Sequence, residues 1–418
     1  MDSPTMETVR ELLSLVVIVL LAGMFGGRIA RLMRVPDVAV FLLIGVLIGP
    51  ILHVVALSPE SVADQLLIVV GAALILFDGG RAIGLGVLKN VWLTLLLLAV
   101  PGVLITAAVT AGAAAWLLQM PFVLAFLLAA IIASTDPATL IPVFKQVPIE
   151  ERLKQTVESE SAFNDATGSI VTFAVLGVAT GEQAFSLGGS LVSFFKMAGG
   201  GLLVGLAAGL LAAVLISERR GGLFREYASI VVVTVAVGAY LLGDLLGVSG
   251  FMATFTAGIV LGNHQAFRLP VPEAKLTEVS HFFDGITLIL RMMIFILLGS
   301  QVDFSALADY WLEGLLVVAV FMFVARPLTV LLCAGVDRRA LWSWNELLFM
   351  CWVRETGVIP AALVALIAGL HLPHYREIHA VTFLAIIVTI VLQAGTTGIV
   401  AKKLGILSGE NPGKEEFP

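Results

Sequence analysis

Residues 156–180 read TVESESAFNDATGSIVTFAVLGVAT, a polar first half followed by an apolar run. The polar half carries the carboxylates Glu158, Glu160 and Asp165, and the apolar run extends from position 170 to 178. A helix needs about 20 predominantly apolar residues to cross a bilayer. This stretch therefore predicts a membrane-crossing helix with carboxylates inside the bilayer. A charged group there requires a partner, a water-filled cavity or a function.

The composition of the whole chain is that of a membrane protein. Hydrophobic residues make up 59% of its 418 residues and charged residues 13%, against roughly 45–50% and 25% in soluble domains. This composition excludes a water-soluble fold and leaves no room for a sizeable soluble domain. The Lys and Arg residues are scattered between apolar runs rather than gathered in a patch, so we expect membrane lipids as partners and no nucleic acid.

Apolar runs bounded by charges, Pro or Gly predict an all-α polytopic membrane protein with about 13 transmembrane helices. The predicted spans are 12–33, 36–52, 62–80, 91–118, 121–144, 156–180, 188–216, 226–246, 248–263, 276–300, 311–335, 343–369 and 378–401. With the N-terminus outside, only Arg10 and Arg376 among the basic residues of the connections lie on the outer side of the membrane, and the others lie on the cytoplasmic side. The positive-inside rule therefore predicts a multi-pass protein of the cell membrane (inner or plasma membrane) with its C-terminus in the cytoplasm.

Interruptions in two of the spans predict two inverted six-helix repeats with broken crossing helices. Residues 134–137 (STDP) would break the fifth span, and residues 356–360 (TGVIP) would break the twelfth. A Pro inside a helix removes a backbone hydrogen bond, and breaks at paired positions mark the ion sites of transporters. Membrane helices also tolerate Gly and Pro without a functional role.

The spacing of polar residues in the sixth span predicts a site. On a helix, Glu160 and Asn164 share one face, and Ser161 and Asp165 share an adjoining one. Glu158 fits a wet cytoplasmic helix end, whereas Asp165 must lie deeper because the helix still has to cross. A carboxylate at that depth is stabilised by a proton or by a small cation with further oxygen ligands. Since these two states exclude each other, the pattern predicts cation/proton exchange.

Several motifs, in this order along the chain, resemble those of the monovalent cation/proton antiporters, and within them the prokaryotic sodium/proton exchanger branch. They are Thr135-Asp136-Pro137, Glu160-Ser161 with Asn164-Asp165, Ala325-Arg326-Pro327-Leu328, and Gln393-Ala394-Gly395-Thr396-Thr397. Residues 76–80 (LFDGG) are similar to the potassium/proton members. The resemblance covers essentially the whole chain. It implies a secondary active antiporter for Na⁺ or K⁺ that acts in pH homeostasis, rather than an enzyme, with no cofactor besides the transported ions.

The resemblance also implies roles for the residues of the two broken spans. Asp165 would bind the metal ion, Na⁺ or K⁺, or the proton, with Asn164 as its supporting neighbour. Ser161 and Thr135 would supply further oxygen ligands. Asp136 would lie where the fifth span unwinds, near the positive ends of half-helices.

Charge compensation is the second set of implied roles. Glu160 would form a structural ion pair with Arg326, which leaves Asp165 as the uncompensated acid and implies electroneutral one-for-one exchange. Arg291 in the tenth span could compete with Arg326 for Glu160, or could only snorkel to the interface. These alternatives stay open at the level of sequence.

The twelfth span departs from the family pattern. Many relatives carry Gly-Leu-Arg-Gly, whereas this chain has Arg354-Glu355-Thr356-Gly357, with Thr356 at the usual Arg position. Arg354 could pair with Glu355, or it could reach the unwound crossing and compensate charge there. The sequence does not choose between them.

The resemblance implies one exchanger domain over residues 1–407 and a short cytoplasmic tail at 408–418. A core transport domain would comprise roughly 91–180 and 311–401, an interface domain the remaining spans, and the protein would be a homodimer. A sodium-coupled symporter of an organic anion with a related fold and a cation channel are the alternative functions. Na⁺ and K⁺ are both hard cations bound by oxygen, so the choice between them is open.

Overall fold

A computed structural model describes residues 4–33, 35–55, 61–135, 137–181, 187–218 and 222–407. These residues are mainly α-helical, and the only β-structure among them is an isolated bridge between Ile149 and Leu407. The α-helices are α1 (Pro4–Met33), α2 (Asp37–Val46), α3 (Val62–Ala82), α4 (Leu85–Leu97), α5 (Val103–Leu117), α6 (Phe122–Ile132), α7 (Pro137–Gln146), α8 (Glu151–Ala179), α9 (Leu187–Ile216), α10 (Ala228–Leu245), α11 (Gly250–Gly262), α12 (Glu273–Ser300), α13 (Phe304–Val320), α14 (Arg326–Cys333), α15 (Trp344–Trp352), α16 (Val358–Ala368), α17 (Tyr375–Val388) and α18 (Gly395–Lys403).

Some neighbouring helices are joined by π-helical turns rather than by loops. Such turns at Leu98–Gly102, Phe321–Ala325 and Thr389–Ala394 make α4–α5, α13–α14 and α17–α18 continuous. Pro101 lies inside the first of these turns, and Pro327 directly follows the start of α14. Because a Pro cannot donate its backbone hydrogen bond, the widened turn is where the helix accommodates it.

The helices have the length and composition of membrane spans. Within the described part of the chain, nine are long and apolar enough to cross a membrane. Shorter apolar helices lie at Asp37–Ile51, Phe122–Ile132, Gly250–Gly262 and Val358–Ala368. The chain is therefore an all-helical, multi-pass membrane protein, as its composition predicts. The helices coincide with the predicted apolar runs, while the count of 13 spans stays a prediction.

Two of the predicted spans are each divided into two short helices. The fifth is split between α6, which ends at Ile132, and α7, which begins at Pro137. The twelfth is split between α15, which ends at Trp352, and α16, which begins at Val358. Both breaks lie at the Pro- and Gly-containing stretches from which the sequence predicts them.

The apolar side chains form three buried clusters that group the helices. One cluster packs α1–α3 mainly against α9–α12. A second packs α5 and α6 mainly against α13, α16 and α17, and a third joins α7 and α8 to α14, α15 and α18. The second and third clusters together surround the two broken spans.

Close packing within the first group depends on a glycine stripe. Gly201, Gly205 and Gly209 recur every four residues on the face of α9 that packs against α11. A Cβ added to Gly209 would lie 2.7 Å from the carbonyl oxygen of Ala257. Small residues let membrane helices approach until their backbones touch, which stabilises their packing in lipid.

Candidate functional site

The break in the twelfth span caps the end of α6. Arg354, which is 1% exposed, donates from Nη2 to the carbonyl oxygen of Ala133. The Thr356 hydroxyl lies 3.4 Å from the carbonyl oxygen of Ile132, and the Thr356 N–H donates to Thr389 Oγ1 at 3.0 Å. The last carbonyls of a helix have no partner within the helix and form its negative end. A guanidinium and a hydroxyl therefore satisfy these carbonyls inside the protein.

The end of α15 is capped in a similar way from other helices. Arg326 of α14 donates from Nε to the carbonyl oxygen of Met350 at 2.8 Å. Gln393 donates from Nε2 to the carbonyl oxygen of Trp352 at 2.6 Å. The sequence presents Gln393 only as part of a motif. A buried amide within an apolar run offers no local signal that it will cap a distant half-helix.

Arg326 also contacts Glu160, which lies on α8. Nη1 and Nη2 of the guanidinium each donate to one carboxylate oxygen of Glu160, the Nη2–Oε2 distance being 2.8 Å. The two side chains are 1% and 2% exposed. Such bidentate pairs are the strongest charge-assisted hydrogen bonds in proteins. One arginine thus joins α8 to the end of α15.

Arg291 has another neighbour. Its Nη1 lies 3.8 Å from Oδ2 of Asp37, and both side chains are partly exposed. This places Arg291 with α2, away from the Glu160 carboxylate that Arg326 holds. Arg354 reaches the unwound crossing, where it contacts the carbonyl of Ala133. This is one of the two alternatives that the sequence leaves open, the other being a pair with Glu355.

A hydrogen-bonded network connects α8 to the break in the fifth span. The Thr135 N–H donates to Asn164 Oδ1 at 2.9 Å, and Asn164 Nδ2 donates to Thr135 Oγ1 at 2.7 Å. The Thr135 hydroxyl in turn donates to Ser161 Oγ at 2.9 Å. All three side chains are buried. The amide of Asn164 is held by both of its ends against an unwound backbone.

Asp165 follows Asn164 and is 1% exposed. Its backbone carbonyl accepts a hydrogen bond from Ser169 Oγ at 2.9 Å, and it lies within electrostatic range of Arg354. The structure thus brings Asn164, Ser161 and Thr135 together in the break of the fifth span, and Asp165 follows Asn164 on α8, one turn after Ser161. A carboxylate, two hydroxyls and an amide form the oxygen-rich set that hard cations prefer.

A glycine that sequence reasoning missed makes this approach possible. A Cβ on Gly168 would lie 2.9 Å from Cβ of Ser134, which lies in the unwound stretch. Gly168 is one helical turn beyond Asn164, so it lets α8 come close enough for Asn164 to reach Thr135. Its place one turn after the polar cluster is the signal that could have identified it.

Three further acids belong to α8 and to the two breaks: Asp136, Glu158 and Glu355. Asp136 lies outside the described residues, so its proposed role stays a prediction. Glu158 is 7% exposed, so it is buried by the protein rather than lying in the wet helix end that the sequence favours. Glu355 is fully buried in the unwound stretch beside Arg354. Across the described ranges, no group of three or more His, Cys, Asp or Glu could hold a metal ion.

A multi-pass helical protein with two interrupted spans capping one another beside a buried carboxylate has the construction of a secondary transporter. The family model described as "Sodium/hydrogen exchanger, transmembrane" matches residues 16–403. The chain belongs to the sodium/hydrogen exchanger family, and the resemblance inferred from its motifs is confirmed.

Similar proteins support the same assignment. The chain is 30% identical over 411 residues to Na⁺/H⁺ antiporter 1 of Methanocaldococcus jannaschii, covering 92% of this chain and 94% of that one. It is 29% identical over 416 residues to the K⁺/H⁺ antiporter NhaP of Alkalimonas amylolytica, covering 98% and 70%. The solved structure of the sodium proton antiporter MjNhaP1 from M. jannaschii at pH 8 matches with a TM-score of 0.79 at 29% identity, over 94% of this chain and 99% of that one. Cation/proton exchange, predicted from the sequence, is confirmed as the activity of the family.

Proposed function

We propose that this chain exchanges Na⁺ or K⁺ for H⁺, one for one, at the carboxylate of Asp165. The observation that carries the proposal is the different surroundings of two buried acids on α8. Glu160 has both oxygens on the Arg326 guanidinium, whereas Asp165 lies next to Asn164 of the neutral Thr135–Asn164–Ser161 network and within electrostatic range of Arg354. A carboxylate beside neutral ligands can alternate between a proton and a cation.

The network around Asn164 prepares the site for a cation. Because Thr135 orients the amide of Asn164 from both sides, little side-chain entropy remains to be lost when an ion binds. The hydroxyls of Thr135 and Ser161 hydrogen-bond to each other, and rotation of either would direct a lone pair toward a cation. When a proton binds instead, Asp165 is neutral and the hydroxyl pair can re-form.

The exchange requires movement of one part of the molecule relative to the other. We assign the transport domain to roughly 91–180 and 311–401, because the two buried clusters around the broken spans are built mainly from these residues. The remaining helices share a separate cluster and would form the interface domain. This division supports alternating access. The resemblance to the family is our reason for proposing a homodimer, and the distribution of Lys and Arg is our reason for proposing the cell membrane, with the N-terminus outside and the C-terminus in the cytoplasm.

Cation-induced proton flux in proteoliposomes tests the proposal. Na⁺, K⁺ and Li⁺ are added separately to wild type, to Asp165→Asn and to Asp284→Asn, an exposed acid on α12 that serves as the control. Each is measured with and without an imposed membrane potential. We expect flux that requires Asp165, ignores the potential and identifies the preferred ion.

Two other results would favour the alternative functions. Cation movement without proton movement would indicate a channel or a sodium-coupled symporter. Proton flux that persists in Asp165→Asn would contradict the assignment of the site, although exchange itself would stand.

A further inference from the structure

A cavity of about 220 Å³ lies between the two groups of helices. One wall comes from α8 and α16 of the proposed transport domain, and the other from α3, α10 and α11 of the proposed interface domain. Its buried end includes Ser169 and Ile359, and its exposed end includes Gln65 and Asp244. It therefore runs from the surface inward along the plane between the two domains, with room for several water molecules or a hydrated cation.

The buried end of the cavity adjoins the candidate site. Ser169 lines the cavity, and its hydroxyl donates to the backbone carbonyl of Asp165 at 2.9 Å. The two residues are one helical turn apart, about 6 Å along α8. Ser169 lies toward the end of α8 at Ala179, which faces outward in the orientation proposed above. The cavity thus approaches Asp165 from the outer side.

The walls of this cavity carry very little charge. Among the described residues that line it, Asp244 is the only one that bears a formal charge at neutral pH. Tyr240 lines the cavity one turn before Asp244 on the same face of α10. Apolar walls of low dielectric constant focus the field of a carboxylate into the space between them, which raises the local concentration of cations.

We propose that this cavity is an outer vestibule for the transported cation, and that Asp244 is the residue that attracts cations into it. This inference rests on the proposed exchange at Asp165. Asp244 does not ligate the ion at the exchange site. It raises the rate at which cations arrive from outside, so its effect is confined to one face of the membrane and weakens with ionic strength.

Thiol labelling tests the vestibule without relying on transport. Ala362 lines the cavity and is half-buried, whereas Ala129 in α6 is fully buried away from it. Each is replaced by Cys in a background where Cys333 and Cys351 are Ala, and intact cells receive a membrane-impermeant methanethiosulfonate. We expect Ala362→Cys to react at least tenfold faster than Ala129→Cys. Equal rates, or reaction only from the cytoplasmic face, would overturn the vestibule.

Kinetics from each side test the role of Asp244. We expect Asp244→Asn to raise the apparent KM for external cation about two- to fourfold at low ionic strength, as expected for the loss of one solvent-screened charge beside the path of the ion. The KM for internal cation stays unchanged, and the external effect disappears in about 0.5 M inert salt. Glu313→Gln, an acid on α13 that does not line the cavity, is the control.

Two results would overturn the role of Asp244: an unchanged external KM at low salt, or an equal change in Glu313→Gln. A wild-type protein without cation/proton exchange would instead contradict the proposed function. The labelling result would still report whether the cavity opens to the outside, so the two failures are distinguishable.

Discussion

Glu160 and Asp165 lie little more than one turn apart on α8 and have different neighbours. The carboxylate of Glu160 meets the guanidinium of Arg326 with both oxygens, and Arg326 also donates to the carbonyl of Met350. Removing either charge would leave the other buried without compensation. The ion pair is therefore a structural element of the core, whereas Asp165 is the acid available for exchange in our proposal.

We expect Glu160→Ala or Arg326→Ala to destabilise the protein by about 3–5 kcal/mol, because each leaves an unpaired buried charge. The double replacement Glu160→Leu/Arg326→Met restores much of this loss. The measurement is the thermal unfolding midpoint in detergent. The control is Asp309→Asn, which breaks an exposed pair with Arg376 and costs about 0–1 kcal/mol. Similar shifts at both pairs would contradict the structural role.

The hydroxyl of Thr135 is central to the network beside Asp165. Thr135→Val keeps the shape of the side chain but removes a donor to Ser161 and an acceptor for Asn164. We expect the apparent KM for the cation to rise about 5- to 30-fold, since an unsatisfied buried polar group costs about 1–2 kcal/mol. Cation-dependent proton flux in proteoliposomes is the measurement.

Thr167→Val is the matched control for Thr135→Val. Thr167 is a buried threonine on α8, the helix that carries Ser161 and Asn164, and its hydroxyl donates within that helix, to the carbonyl of Phe163 at 3.2 Å. Its replacement is expected to leave the KM within about twofold of wild type, as for a polar group outside any network. An equal rise in both variants would indicate a general disturbance of α8 rather than a cation ligand.

At the scale of elements, the half-helices stabilise one another across the crossing. Arg354 contacts the end of α6 and, through its guanidinium carbon, lies 5.3 Å from the ring centroid of Phe321. Helix ends exposed to lipid would leave polar backbone groups unsatisfied, at several kcal/mol each. The side chains that cap them therefore determine whether the broken spans can exist within the membrane.

Arg354→Met is expected to lower the rate of exchange about 10- to 100-fold. It removes the charge that caps the negative end of α6, and it therefore destabilises the transport-competent conformation by about 1–3 kcal/mol. The double variant Arg354→Gly/Thr356→Arg, which moves the arginine to its usual position in the family, should recover part of the activity, since Thr356 already approaches the carbonyl of Ile132. Flux per correctly folded protein is the quantity to compare. No recovery would show that the position of Arg354, and not only its charge, is required.

The approach of α8 to the unwound stretch can be tested at Gly168. Gly168→Ala forces α8 and Ser134 apart by a few tenths of an ångström, because the new Cβ would lie 2.9 Å from that of Ser134. We expect weaker cation binding, with a KM about threefold or more above wild type, since the Asn164–Thr135 hydrogen bonds lengthen. Gly112→Ala in α5 meets nothing within 4 Å and is the control. It should be neutral or slightly stabilising, because Ala favours helices over Gly by about 1 kcal/mol.

At the scale of the whole molecule, a single site reached from alternate sides requires competition between the two ions. As the pH falls through the range in which the site carboxylate takes up a proton, the apparent KM for the cation is expected to rise, by up to about tenfold per pH unit. The maximal rate at saturating cation should change much less. Initial rates over a grid of pH and cation concentration, on one face at a time, are the measurement. A falling maximal rate at constant KM would point to a separate regulatory proton site.

The buried clusters determine which helices can move relative to one another during exchange. The helices around the broken spans share their apolar contacts mainly with each other, and α9–α12 share theirs with α1–α3. The glycine stripe on α9 holds α9 close to α11, within the group of α1–α3 and α9–α12, through backbone contact. Packed groups of this kind move as bodies, because interiors as dense as these do not deform continuously.

The sequence by itself determined the class of fold and the identity of the polar cluster. The apolar runs are long enough to span a bilayer, and in the absence of water their backbone groups must hydrogen-bond to one another. A chain of this composition therefore forms helices. Polar residues within such helices are so costly that the acids on α8 and the Pro-containing break at residues 134–137 stand out without any coordinates. The motifs then indicated the family that the comparisons confirm.

Only the tertiary structure decided which charge meets which. Whether Glu160 is held by Arg326 or Arg291, and whether Arg354 turns to Glu355 or to the end of α6, depends on how helices distant in sequence are placed side by side. Coulomb attraction acts between any opposite charges, so residue type alone cannot select the partner. Packing brings one guanidinium within hydrogen-bonding distance of a given carboxylate or carbonyl, and only that contact repays the cost of burying it.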